Sequence, residues 1–199
     1  MKCACRMAIL LVCLPAACQT TSMFRGNLEH TGVYASGPVQ QFSKIKWKFQ
    51  TGGRVISSPA VANGMVYCGS TDGNLYALDL QSGAAIFSLK FRWPMFSSPA
   101  ISGSMLYIGS HEGKLIAIDL KTQAPAWEFQ TDASRKNAPA FSKPDGTVNY
   151  AAAFTEDFYD DMVAGVSKMQ SMGTILASPV VVDRVIYVGS TDGYLYALI

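Results

Sequence analysis

Hydrophobic and polar positions alternate along this chain in short bursts, and the bursts come in sets. SSPAVANGMVYCGSTDGNLYALDL, residues 57–80, is followed forty positions later by SSPAISGSMLYIGSHEGKLIAIDL. Near the C-terminus the chain reads ASPVVVDRVIYVGSTDGYLYALI. Within a set, apolar runs rich in β-branched and aromatic residues stand between Gly, Asp and Ser, the pattern of short strands joined by turns. Four strands per set are predicted: one at PAV or PAI, one at MVYCGS, MLYIGS or VIYVGS, one at NLYALDL, KLIAIDL or YLYALI, and one at IKWKFQT, AIFSLKF or PAWEFQT. STDG between the second and third is a tight hairpin turn, in which Asp accepts from the local backbone and Gly supplies a positive φ. HEG at 111–113 reads as the same turn, with His111 an exposed turn residue.

The sets keep a step of 40: Pro59, Pro99, Pro139 and Pro179 form one column, and Trp47, Phe87, Trp127 and Ser167 a second. The third copy, 138–173, has lost the GSxDG words and kept its length. In NLYALDL, Leu75, Ala77 and Asp79 face one way and Tyr76, Leu78 and Leu80 the other. Both sets are largely apolar, as a strand covered on two faces requires. Four antiparallel strands about every 40 residues predict the blades of an all-β propeller, because a lone blade has bare edges and buries too little. Residues 45–51 are an orphan fourth strand, and the last copy stops after its third. Joining the two completes a blade and closes a ring of four: 59–91, 99–131, 139–171, and 179–199 with 44–51. A second arrangement pairs two such copies into one larger ring.

Composition narrows the class. The chain has 199 residues, 49% apolar and 15% charged, which suits one globular domain and excludes a disordered polyelectrolyte. A formal charge of +2 gives no reason to expect nucleic acid as a partner. The start is different: Lys2 and Arg6 precede an apolar run from Met7 to Leu14 and then small residues. The run is far too short to span a membrane and reads as a secretory signal over 1–18. LPAAC, ending at Cys18, resembles the bacterial lipoprotein signal, which makes Cys18 a lipidation candidate and a lipid anchor the expected route to a membrane. Pro15 stands where that pattern favours Leu. Loss of 1–17 would leave 14 basic and 14 acidic groups. Of five cysteines only Cys68 lies in the body, so a disulfide scaffold is excluded. It holds the place of Ile108 and Val188 and reads as a small core hydrophobe.

The repeat SPAV…VYxGSxDGxLYALDxxxG…WxF over 44–199 resembles the pyrroloquinoline-quinone-type (quinoprotein-like) propeller repeat, and FRGNLEHTG in the lead-in (19–43) resembles the segment preceding such propellers. That family usually has seven or eight blades. It includes quinone-dependent alcohol dehydrogenases and the lipoprotein propeller subunit of the outer-membrane β-barrel assembly machine. For the dehydrogenases the resemblance implies a calcium ion, a catalytic Asp and a disulfide between adjacent cysteines. This chain has no adjacent cysteine pair, and its two histidines, His30 and His111, form no evident catalytic set. No cofactor and no catalytic residue is therefore expected. Glu156, Asp157, Asp160 and Asp161 are the acidic cluster and the weak metal candidates, with a solvated loop as the plain alternative.

Loops of a propeller gather on two faces and carry function. The linkers between sets supply Arg54, Arg92, Trp93, Phe96 and Arg135, and the combination of Arg and aromatic groups suits a protein interface. Filling of the space between blades is the plain alternative for Trp93 and Phe96. Phe154, Phe158 and Tyr159 in the divergent copy are further candidate anchors. The expected function is a non-catalytic, exported scaffold in the periplasm that binds envelope proteins, anchored to the outer membrane through Cys18. The alternative is a quinone- or Ca²⁺-dependent oxidoreductase, or its remnant, completed by dimerisation.

Overall fold

A computed structural model of the chain describes residues 21–22, 24, 40–145, 147–149 and 162–199. Three antiparallel sheets stack one on the next. The first contains β2 (Ala60–Ala62), β3 (Met65–Gly69), β4 (Asn74–Asp79) and β5 (Ala85–Lys90) in sequential order. The second contains β6 (Ala100–Ser102), β7 (Met105–Gly109), β8 (Lys114–Asp119) and β9 (Ala124–Gln130), with β1 (Thr21–Ser22) added beside β6. The third contains β10 (Val180–Val182), β11 (Val185–Gly189) and β12 (Leu195–Leu198). Between the second and third sheets lie α1 (Asp132–Asn137), a 3₁₀ turn (Ala138–Phe141) and α2 (Met162–Met172).

Register repeats with the sequence. Tyr67 opposes Ala77 as Tyr107 opposes Ala117 and Tyr187 opposes Ala197. A bulge falls between Ala77 and Leu78 and again between Ala117 and Ile118. Gly73, Gly113 and Gly193 have φ of +82°, +78° and +90°, so the hairpin turns need glycine as the pattern predicts. First strands lie side by side, β2 against β6 and β6 against β10, at the inner edge of the stack.

The core is what the two-faced apolar strands predict. Leu75 and Ala77 of the first sheet meet Ile108, Ile116 and Ile118 of the second in one cluster. On its other side the second sheet presents Leu115, Tyr107 and Phe129 to Ile175 of the incoming linker and to Ile186, Val188 and Tyr196 of the third. Each sealed leucine or isoleucine contributes about 2–3 kcal/mol of burial. Cys68 is a free, buried thiol, and burial, followed by the charge of Asp72, raises its pKa.

The third copy departs from the expected blade. Its described residues form two helices, a 3₁₀ turn and a single bridge between Ser142 and Val148. Thr131 caps α1, its hydroxyl accepting from Ser134 N at 3.3 Å. The chain leaves the second sheet at Thr131 and returns at Gly173, where Thr131 Oγ1 donates to Gly173 O at 3.2 Å. Asn137 Nδ2 donates to Ser171 O at 2.7 Å across the same neck. The linker from Phe91 to Met95 covers 4 positions, and that from Thr131 to Ile175 covers 44. The excursion thus adds one repeat length, which is why the Pro139 column keeps step with no blade among its described residues. In space, sheet three follows sheet two directly.

The expected closing strand also differs. Residues 45–51 carry no ladder, and β12 pairs with β11 alone among the described residues. The segment instead lies on the flank of the first sheet. Trp47 Nε1 donates to Leu80 O at 3.1 Å, and the Phe49 ring meets Tyr76 edge-on at 5.3 Å. Among the described residues neither a ring of four nor its closure by the N-terminal strand is seen.

Candidate functional site

The linkers and the strand-two-to-strand-three turns share one end of the stack, and backbone bonds tie each pair together. Thr71 N donates to Arg54 O at 2.9 Å, His111 N to Pro94 O at 3.0 Å and Thr191 N to Thr174 O at 3.0 Å. This rim carries every interface residue predicted from sequence that the linkers supply. Arg54 and Arg135 are exposed, and Arg135 pairs with Asp132 at 2.8 Å in full view of solvent, where such a pair contributes little. Arg92 is exposed and donates to Ser142 Oγ of the excursion at 3.0 Å.

Trp93 and Phe96 are brought together, but inward. Trp93 is 2% exposed and packs with Phe141, Val148 and Met172 beneath the excursion. Both rings stand nearly perpendicular to the His111 ring, with centroids at 6.1 and 5.2 Å. Trp93 is therefore filling between elements and offers no surface to a partner.

His111 is the residue whose setting differs most from its reading as an exposed turn. It is 1% exposed. Thr174 Oγ1 donates to His111 O at 2.7 Å, so the 3.1 Å contact between Thr174 Oγ1 and Nδ1 assigns the ring proton to Nδ1. Burial lowers its pKa to about 4 and keeps the imidazole neutral.

The Asp of STDG does more than form its own turn. Asp72 Oδ1 accepts from Asn74 N at 2.9 Å, while Oδ2 accepts from Tyr76 Oη at 2.7 Å and from Gly52 N, on the preceding linker, at 2.8 Å. Burial alone would raise the Asp72 pKa; the hydrogen bonds, led by Tyr76, outweigh it and hold the carboxyl low. In the third sheet Tyr196 Oη donates to Asp192 at 2.7 Å and accepts from Asp132 N at 3.3 Å. Burial first, and then the bond to Asp192, push the Tyr196 phenol up to about 12. The second sheet replaces this pair by Lys114 set between Glu112 (3.6 Å) and Glu128 (3.0 Å). The signal was in the repeat: Tyr follows the turn Asp by four in both STDG copies, and Ile116 follows Glu112. These carboxylates are committed to structure.

Among the described residues no three His, Cys, Asp or Glu side chains converge as a cation site. Glu156, Asp157, Asp160 and Asp161, with Phe154, Phe158 and Tyr159, lie outside the described residues, as do Cys18 and His30. A groove of about 560 Å³ opens at the opposite end of the stack, between Met65 and Tyr67 of the first sheet and Leu120 and Lys121 of the second, with no acid or histidine lining it. No described helix is long and apolar enough to cross a membrane.

Comparison with known proteins agrees with this architecture. The structure of BamB from Moraxella catarrhalis superposes with a TM-score of 0.51 at 19% identity, covering 77% of this chain and 36% of that one. Quinohemoprotein alcohol dehydrogenase ADHIIG from Pseudomonas putida HK5 gives 0.51 at 21% identity, covering 76% and 20%. At such identities the likeness is one of fold, and this chain spans about a third or a fifth of those chains. No curated protein matches the sequence. The profile of the PQQ_2 family, described as outer membrane protein assembly factor BamB, matches residues 40–198. The chain belongs to that family.

Proposed function

We propose that this chain is a non-catalytic, exported propeller segment that binds envelope proteins through its linker rim. The observation that carries the reading is the set of arginines on three successive linkers, Arg54, Arg92 and Arg135, exposed on a rigid rim whose carboxylates and histidine are committed to packing. Arginine on a preorganised frame suits recognition of carboxylate and carbonyl groups on a protein surface. Family membership in an outer membrane protein assembly factor supports an envelope setting. The export and anchoring role of 1–18, with Cys18 as lipid attachment point, completes the reading: a periplasmic protein tethered to the outer membrane and needing no cofactor.

Photo-crosslinking in intact cells tests it. A photoreactive residue in place of Arg54, Arg92 or Arg135 is expected to yield discrete adducts with envelope proteins. The same residue at the exposed Lys121, at the opposite end of the strands, is expected to yield none. Equal labelling from all four positions would defeat the assignment of the rim.

A further inference from the structure

The strand β1 fixes the end from which the chain enters the stack. β6 runs from Ala100, next to the linker rim, to Ser102, at the opposite end. β1 pairs with it antiparallel, Thr21 against Ser102 and Ser22 against Ile101. The chain therefore comes in from the end opposite the rim and heads toward the rim. β1 also adjoins β2, so the entry lies at the inner edge, beside the first two sheets. Cys18 precedes Thr21 by three positions. Three residues span at most about 10 Å even when fully extended.

That end of the stack is made of hairpin tips. Asn63 and Gly64 join β2 to β3, Gly103 and Ser104 join β6 to β7, and Asp183 and Arg184 join β10 to β11. The longer turns at 80–84 and 120–123 stand beside them. A Cβ on Gly64 or Gly103 would meet nothing within 4 Å, so these tips are bare. They are also firmly held. Leu80 N donates to Gly64 O and Leu120 N to Ser104 O, each at 2.9 Å. Asp79 Oδ1 accepts from Ser82 N at 2.7 Å and Asp119 Oδ1 from Lys121 N at 2.8 Å, which commits both carboxylates to their own turns. Lys121, Asp183 and Arg184 remain as exposed charges, and no large apolar side chain is exposed on these tips.

We infer that these hairpin tips face the headgroup layer of the bilayer, held there by the short tether from Cys18, with the arginine rim directed away from the membrane. The inference rests on the lipid attachment proposed above and adds its direction. Polar tips suit a hydrated headgroup layer: they have nothing to sink into hydrocarbon, while Lys121 and Arg184 can donate to lipid phosphate. The five- and six-residue strands between tips and rim place the rim about 17–20 Å farther from the lipid than the tips. Arg54, Arg92 and Arg135 are thereby presented to the aqueous side, where a partner must approach from the periplasm rather than from the membrane plane.

Depth-dependent fluorescence quenching tests it. The chain, purified from membranes with its anchor, is reconstituted into phosphatidylcholine vesicles whose headgroups carry a nitroxide quencher. A fluorescent amino acid replaces Lys121 in one sample and Arg54 in another, both exposed positions. Quenching at 121 is expected to exceed that at 54 several-fold. A Gly/Ser linker of about 20 residues placed between Cys18 and Thr21 frees the stack to turn, and is expected to abolish the difference while the chain still floats with the vesicles. Equal quenching without the linker, or stronger quenching at 54, overturns the proposal. So does a difference that survives the linker, since the short tether is then not what orients the stack. Flotation separates this claim from the anchor itself. A chain that stays off the vesicles defeats lipid attachment in the cell; coupling a maleimide lipid to Cys18 of the mature chain, with Cys68 buried, then reads the orientation with the same two dyes.

Discussion

At the scale of the residue, the repeat makes its own controls. His111 stands where the sister copies have Thr71 and Thr191. The folded state holds it neutral to about pH 4, whereas an unfolded chain takes up the proton near 6.5. Its contribution is therefore complete above pH 6.5 and lost as the pH falls toward 4, a decline of about 3 kcal/mol. Urea denaturation across that range should show the decline, and His111→Thr should flatten it while costing stability at neutral pH through the gap left between Trp93 and Phe96. A slope unchanged in His111→Thr would place the acid sensitivity elsewhere. Single residues were only partly legible in sequence. The turn glycines and the core place of Cys68 follow from local pattern. The burial of His111 does not, because it is produced by Trp93 and Phe96 on a linker some fifteen residues earlier, and by an excursion that no local pattern foretells.

At the scale of the element, strand existence was legible and the fate of the third copy was not. Alternation, β-branched content and punctuating glycines predict β2 to β5, β6 to β9 and β10 to β12 at their observed places. The 40-residue step misleads over 139–171 because an excursion one repeat long preserves every later register. Loss of GSxDG there was the physical signal: without its hairpin turn a blade has no second-to-third strand connection. A deletion tests the spatial account. Removal of 132–171 joins Thr131 to Met172 and leaves a linker as long as that from Phe91 to Met95. We expect the three sheets to remain stacked, the helical circular dichroism signal to vanish, and Trp93 fluorescence to shift red as its cover departs. Stability should fall by about 3 kcal/mol for the lost cluster of Trp93, Phe141, Val148 and Met172. Wholesale unfolding would show instead that the excursion is integral to the stack.

At the scale of the whole molecule, two features decide how the chain sits in its surroundings. The first is the start of the sequence. Feeding cells a labelled fatty acid should mark the chain, and Cys18→Ala should abolish both the label and membrane association; unchanged partitioning of that variant would end the tether proposal. The second is the place of the head strand. Ring closure was expected from it, and among the described residues that strand lies on the flank of the first sheet, with Trp47 bonded to Leu80. The neck of the excursion has a further consequence. Because Thr131 and Gly173 touch, any folded cargo with adjacent ends can be spliced there without disturbing the sheets. Such a graft would ride on the rim beside Arg92, which makes this stack a ready frame for displaying foreign modules.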